Sequence, residues 1–105
     1  MDRGSLLERI KTSLSDVFKV RLQGVVLYGS EARGNAAPDN DIDVLVLLSG
    51  PVILGQELRT IIEVLYPLQL EVERPIHALP VDIQLYEAAE FVLFRNARQE
   101  GIYIS

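Results

Sequence analysis

Two short apolar runs, residues 24–28 and 44–48, lie on either side of a polar segment near the middle of the chain. Each run is rich in β-branched residues, is far shorter than an ordinary helix, and is bounded by Gly, Asn, Pro or Asp. Such runs are typical of strands that are buried on both faces. The pattern therefore predicts two core strands joined by a polar loop.

Apolar residues at helical spacing predict two helices packed on this sheet. The first covers about residues 5–19, and Ser5 with Glu8 forms a capping-box pattern at its start. The second begins after the Ser-Gly-Pro break at 49–51 and ends near residues 66–67. Residues 68–74 either add a further turn of helix or form an irregular edge, and the sequence leaves this open. This second helix would carry the chain back across the sheet, as a parallel or mixed arrangement requires.

The next strand can be placed in two registers. In one, the strand is 81–85 and contains Asp82. In the other, the strand is 75–81 and contains His77, while Asp82 caps the following helix. Local chemistry favours the second, because Asp is a preferred N-cap and Pro80 is tolerated only at an edge or a strand end. Sequence alone leaves both registers open.

The end of the chain predicts a closing helix and a short edge strand. The helix covers about 83–99, Gly101 suits the position after a helix, and 102–104 forms the strand. Together these elements predict one α/β domain over residues 1–105, with a small mixed sheet flanked by helices.

Composition narrows the classes of function. The net charge of −5 would repel a polyanion and no basic stripe is present, so we expect no nucleic-acid polymer as partner. The absence of cysteine excludes disulfides, thiolate metal sites and a cysteine nucleophile. No apolar run approaches the roughly 18 residues of a membrane span, and the start lacks a signal-peptide region. We therefore expect a cytoplasmic protein without membrane association.

The polar loop and the start of the second strand carry the candidate chemistry. Gly29 allows close backbone approach to a ligand, and Ser30 would open a short helix through Arg33, whose free N–H groups would hold an anion. Asp41 and Asp43 are two residues apart and share one strand face, with Cα atoms about 7 Å apart. Carboxylates of this kind bind Mg²⁺ together with substrate phosphates. We expect a triphosphate and its metal here.

The order of these motifs resembles a known family. Gly29-Ser30, then Ala-Arg-Gly at 32–34, then Asp41-x-Asp43 opening an apolar strand, is similar to the minimal nucleotidyltransferases of the DNA polymerase beta superfamily. Asn40 stands where these proteins more commonly have serine. The resemblance implies the nucleotidyltransferase (polymerase beta-like) fold.

The resemblance also implies roles for individual residues. Asp41 and Asp43 would bind Mg²⁺, with a two-ion site as one arrangement. Gly29 and Ser30 would hold the phosphates of ATP or another nucleoside triphosphate, with Arg33 beside them. The reaction would move a nucleoside monophosphate, AMP in the ATP case, to a hydroxyl group.

Members of this superfamily commonly place a third acidic residue on a neighbouring strand, facing the first two. Asp82 fills this position in one register and His77 in the other. A neutral imidazole near pH 7 would serve as a general base, or as a poorer Mg²⁺ ligand than a carboxylate. Without a third acid, the alternative is a catalytically degenerate module that binds and neutralises or scaffolds a partner protein.

The resemblance further implies a partner. Larger members add a helical domain that closes over the acceptor, whereas this chain ends where the sheet is complete, so we expect either a second protein or a homo-oligomer. In the minimal members this second protein is often a helical HEPN-type toxin. The nucleotidyltransferase then acts as antitoxin by transferring AMP to a tyrosine. A small-molecule transferase, such as an aminoglycoside-modifying enzyme, would need a larger cleft.

Overall fold

The computed structural model describes residues 2–29, 32, 34, 40–89 and 91–104. Ser30 and Arg33 lie outside the described residues. In chain order, the elements are α1 (Arg3–Phe18), a 3-10 helix (Lys19–Arg21), β1 (Leu22–Tyr28), β2 (Ile42–Leu48), α2 (Leu54–Glu71), β3 (Ile76–Asp82), α3 (Ile83–Ala88), α4 (Val92–Glu100) and β4 (Ile102–Ile104).

The four strands form one mixed sheet in the order β3-β2-β1-β4. β2 and β3 are parallel and are joined by α2, whereas β1 pairs antiparallel with both β2 and β4. The predicted mixed sheet flanked by helices is confirmed, including the short edge strand near the end of the chain.

The central strands are buried on both faces, as their continuous apolar runs predicted. Val44 and Val46 pack with α1 and α2 on one face of the sheet. Leu45 and Leu47 pack with α3 and α4 on the other face. Because side chains alternate along a strand, Asp43 shares the face of Leu45. The polar end of β2 is thereby placed on the α3–α4 side.

An ion pair fastens the start of α2 to the sheet. Among the described residues, Glu57 is the charged side chain that is buried, at 7% exposure. The guanidinium of Arg21 donates to Glu57 Oε2 at 2.6 Å, and also to the carbonyl oxygens of Ser49 and Pro51. These contacts hold the loop between β2 and α2 against the beginning of β1.

One predicted helix boundary was wrong, and for another the structure has one of the two alternatives that the sequence left open. The N-cap of α1 is Asp2, whose Oδ1 accepts the Ser5 N–H at 2.7 Å, so Ser5 lies inside the helix. α2 continues through Pro67 to Glu71, because Leu68 is buried at 2% exposure and extends the core stripe of the helix. The free energy gained by burying Leu68 exceeds the cost of the backbone hydrogen bond that Pro67 cannot donate.

The closing helix is also different from the prediction. It is split into α3 and α4 at Ala89, which has a left-handed φ of 54°. The break allows the rings of Tyr86 and Phe94 to pack with centroids 6.0 Å apart. Gly101 is extended and not left-handed. A Cβ there would press on Ala97 O and Val26 Cγ1, so glycine is needed for close packing on β1.

No helix within the part of the chain that the structure describes is long and apolar enough to cross a membrane.

Candidate active site

Three side chains form a row across the sheet. Tyr28 ends β1 and pairs with Asp43 at the start of β2, and Asp43 pairs with His77 at the start of β3. Directly paired residues share one face, so the three side chains lie side by side over about 10 Å, two strand spacings. We call these three residues the cross-strand row.

Asp41 joins this row from the segment just before β2. His77 Nε2 lies 3.1 Å from Asp41 Oδ2, and the two side chains are 61% and 51% exposed. This contact is a hydrogen bond when the imidazole is neutral with its proton on Nε2, and an ion pair when the imidazole is charged. The site therefore combines two carboxylates and an imidazole at the surface.

The N-terminal ends of the two parallel strands are tied together just before the site residues. The Ile42 N–H donates to Pro75 O at 2.8 Å, and Arg74 Nε donates to Asn40 O at 2.7 Å. These bonds join the backbone beside Asp41 to the backbone leading to His77.

Gln69, near the end of α2, fixes the loop that leads into β3. Its Nε2 donates to Val72 O and to Arg74 O, at 3.3 and 2.9 Å. Its Oε1 accepts the N–H of Ile76 at 2.7 Å. One half-buried amide thus holds three backbone groups, and the last of them is adjacent to His77.

The glycine corner contacts the second carboxylate. Gly29 follows β1 with a φ of +74°, a conformation that L side chains rarely adopt. A Cβ at Gly29 would lie 3.1 Å from Asp43 Oδ2, so the backbone passes against this carboxylate. Gly34 is also left-handed, with φ +77°. Of the predicted phosphate corner, Gly29 is thus placed beside Asp43.

Two members of the cross-strand row, Asp43 and Tyr28, have shifted pKa values. Burial raises the pKa of Asp43 above its usual range; His77 opposes the rise, and Asp41 adds to it. Burial also raises the pKa of Tyr28, and the Asp43 carboxylate adds to that shift. Shifted pKa values in a group of converging polar residues are typical of functional sites.

Asp82 lies at the opposite end of β3. It pairs with Leu48, five residues along the strand from His77, which is about 16 Å at the usual rise. Its Oδ1 accepts the Gln84 N–H at 2.9 Å and so caps α3. Of the two registers, the structure has the one in which His77 is beside the aspartates and Asp82 is not.

The donor set suits a magnesium ion held jointly with a substrate. Among the described residues, no group of three or more His, Asp or Glu side chains is arranged to hold a metal ion. Asp41 and Asp43 offer two carboxylates at one edge of the sheet. Mg²⁺ in nucleotide enzymes is commonly bound by one or two carboxylates, with water and phosphate completing its coordination. The residues present fit that mode.

Sequence reasoning did not identify Tyr28, Gln69 or Arg74 as site residues. Tyr28 was recognised only as the end of a strand, and its position opposite Asp43 depends on the register between β1 and β2. Gln69 and Arg74 act through backbone groups, and both residues lie outside the motifs; Arg74 reaches the carbonyl oxygen of Asn40 from 34 residues further along the chain. No local sequence signal marks such contacts.

Comparison with known proteins identifies the family. A family model described as "Nucleotidyltransferase domain" matches residues 7–104. Because this match covers nearly the whole chain, the chain belongs to the nucleotidyltransferase domain family. The predicted resemblance and fold are confirmed at this level.

Individual relatives agree with this assignment. The chain is 32% identical over 56 residues to "Putative protein adenylyltransferase MJ0141" of Methanocaldococcus jannaschii, and the match spans 53% of this chain and 57% of that protein. A crystal structure of a mutant toxin–antitoxin pair, MntA–HpeT, has a TM-score of 0.66 at 20% identity, covering 93% of this chain and 70% of the other.

Two further solved structures share the fold. A crystal structure of a toxin–antitoxin with AMP-PNP has a TM-score of 0.63 at 20% identity, covering 91% of this chain and 69% of the other. A structure described as a "putative nucleotidyltransferase" from Sulfolobus solfataricus has a TM-score of 0.60 at 15% identity, covering 95% of this chain and 79% of the other. At these identities, the likeness concerns the fold.

Proposed function

We propose that this protein is a Mg²⁺-dependent nucleotidyltransferase that moves AMP from ATP to a hydroxyl group on a partner protein. The proposal is carried by the convergence of Gly29, Asp41, Asp43 and His77 at one end of the strands, where β1 ends and β2 and β3 begin. The adenylyltransferase name of the relative and the AMP-PNP in a structural neighbour support ATP as the nucleotide. The toxin–antitoxin titles of two structural neighbours support an antitoxin role. A helical HEPN-type toxin as the partner is what the resemblance to the minimal nucleotidyltransferases implies.

Asp41 and Asp43 would hold the metal, and the glycine corner would hold the phosphates. Asp41 uses Oδ2 toward His77, which leaves its other oxygen for a cation shared with Asp43. When bound, Mg²⁺ would neutralise charge on the triphosphate and polarise the α-phosphate. Backbone N–H groups at Gly29 and Ser30 and the guanidinium of Arg33 would bind the phosphate groups.

His77 takes the proton of the attacking hydroxyl. With the Nε2 proton donated to Asp41, the lone pair on Nδ1 is free to accept a proton. The hydroxyl oxygen forms a bond to the α-phosphorus, the bond from that phosphorus to the bridging oxygen breaks, and pyrophosphate leaves with the electron pair. Asp41 keeps the imidazole in the required tautomer and orientation.

Calorimetry tests the nucleotide site. We expect the purified chain to bind a non-hydrolysable ATP analogue only when magnesium is present, and Asp41→Asn with Asp43→Asn to abolish the magnesium-dependent heat. Asp16→Asn, an exposed acid on α1, is the matched control and should bind like the wild type. Adenylylation of a co-expressed HEPN-type partner that survives loss of both aspartates would refute the catalytic assignment.

A second function is favoured by one observation. An imidazole, and not a third carboxylate, lies beside the two aspartates, which suits a degenerate module that binds its partner without transferring AMP. Such a module would show no magnesium-dependent binding heat with the ATP analogue. It would still neutralise or scaffold its partner when both aspartates are replaced.

A further inference from the structure

A groove passes round the free edge of β3, beside the cross-strand row. β3 is an edge strand of the sheet, and the groove has a volume of about 590 Å³. Neighbouring residues of a strand face opposite sides of the sheet, yet residues 76, 77, 78 and 79 all line this groove. The groove therefore reaches both faces of the sheet at this edge, and it joins the outer side of α2 to Asp43 and His77.

Two of the described residues that line the groove carry a hydroxyl group, Tyr28 and Tyr66. Tyr28 is half-buried at the end of β1, next to Gly29, where the proposed function places the phosphates. Tyr66 is on α2 and is 59% exposed. The accessible hydroxyl of the groove is therefore that of Tyr66.

The end of α2 holds Tyr66 close to the strand that carries His77. Gln69 follows Tyr66 by three residues, so the two side chains are neighbours on the helix surface. Gln69 Oε1 accepts the N–H of Ile76 at 2.7 Å, and His77 directly follows Ile76. Tyr66 thus lies only about 4.5 Å along the helix from the residue that is bonded to the start of β3. Its side chain and that of His77 line the same groove.

The direction of the reaction favours an acceptor on the β3 side. Gly29 follows β1 at one end of the cross-strand row, and His77 lies on β3 at the other end. In transfer at phosphorus, the attacking and leaving oxygens are roughly in line on opposite sides. With pyrophosphate leaving near Gly29, the attacking hydroxyl approaches from β3. Tyr66 lies on this side, whereas Tyr28 lies on the side of the leaving group.

We propose that the protein also adenylylates itself, with Tyr66 of the same molecule as the acceptor. This inference rests on the proposed function. The phenol oxygen of Tyr66 forms a bond to the α-phosphorus of ATP, the bond from that phosphorus to the bridging oxygen breaks, and pyrophosphate leaves with the electron pair. His77 takes the phenol proton. The product is a phosphodiester between AMP and Tyr66 on α2.

Incubation of the purified protein with α-³²P-ATP and magnesium, without any partner, tests the proposal. Full-length wild type and Tyr66→Phe are compared, and Tyr103→Phe is the matched control because Tyr103 is 55% exposed on β4, at the other edge of the sheet. We expect wild type and Tyr103→Phe to become labelled. Tyr66→Phe should lower the label by at least about tenfold, because phenylalanine keeps the ring and lacks the nucleophile.

Mass spectrometry of the labelled wild type gives a readout that needs no variant. Cleavage after arginine releases residues 60–74, a peptide in which Tyr66 is the only tyrosine. We expect AMP on this peptide, with fragmentation assigning it to Tyr66. Transfer within one molecule also predicts that the rate of labelling per molecule is the same at all protein concentrations.

The outcomes separate the two proposals. AMP on another residue, or undiminished labelling of Tyr66→Phe, would overturn the assignment of Tyr66. A labelling rate per molecule that rises with protein concentration would overturn transfer within one molecule. A wild type that binds the ATP analogue with magnesium and carries no label would overturn self-adenylylation and leave the nucleotide site intact. Absence of both magnesium-dependent binding and label would overturn the proposed function as well.

Discussion

Replacing Gln69 by leucine should destabilise the protein and loosen the strand that carries His77. Leucine has similar volume but removes the bonds to Val72 O and Arg74 O and the one from the Ile76 N–H, at 3.3, 2.9 and 2.7 Å. Each well-formed hydrogen bond contributes a net stability of about 1 kcal/mol, and the longest of the three contributes less. Gln69→Leu should therefore lower the free energy of unfolding by about 2–3 kcal/mol. For a domain of this size, that loss lowers Tm by about 8–20 °C.

Thermal unfolding followed by circular dichroism measures this loss. Gln56→Leu is the matched control, because Gln56 is exposed on the same helix, and its Tm should stay within about 2 °C of wild type. Hydrogen exchange supplies a second readout, since the Ile76 amide should exchange faster in Gln69→Leu than in wild type. A Gln69→Leu Tm equal to that of Gln56→Leu, with Ile76 still protected, would contradict the role assigned to this side chain.

Three other outcomes are expected. Arg21→Met leaves the Glu57 carboxylate buried without its counter-charge. Because Arg21 is 37% exposed, the loss should lie between those measured for surface and for buried ion pairs. Urea unfolding should therefore show a free energy of unfolding that is lower by about 2 kcal/mol. Asp43→Asn should raise Tm in metal-free buffer at pH 7, because a raised folded pKa means that ionisation destabilises the fold, and the gain should disappear as pH falls below the usual Asp range. The N–H of Ser5 lowers the pKa of Asp2, so the stabilisation by Asp2 is present above its ordinary value of 3.8 and is lost as pH falls through the lowered value. Asp2→Ala should therefore have a lower Tm than wild type at pH 7, and the difference should shrink as pH falls below 3.8, as scanning calorimetry would show.

Features set by local sequence were predictable. β1 and β2 follow from short β-branched runs. The glycine corner and the paired aspartates are each common motifs, and the prediction of a site came from their order between these two apolar strands. Asp82 as an N-cap was favoured by its own chemistry, and the structure has it in that place. These predictions required no knowledge of distant contacts.

Features set by tertiary contacts were not predictable. From the sequence, Asp82 and His77 were equal candidates for the third site position. Which of them lies beside the aspartates depends on the parallel register of β2 and β3. The sequence left open whether α2 continues after Pro67, and burial of Leu68 extends the helix to Glu71. Gln69 contributes only through backbone partners in a loop, which no spacing rule reveals.

The central claim is that Gly29, Asp41, Asp43 and His77 converge on one metal-bound triphosphate. A crystal structure of the protein with magnesium and a non-hydrolysable ATP analogue tests this claim most directly. We predict phosphate oxygens against the backbone at Gly29, and a cation at about 2.1 Å from oxygens of both Asp41 and Asp43. A triphosphate bound elsewhere, or a cation that touches neither carboxylate, would contradict the account.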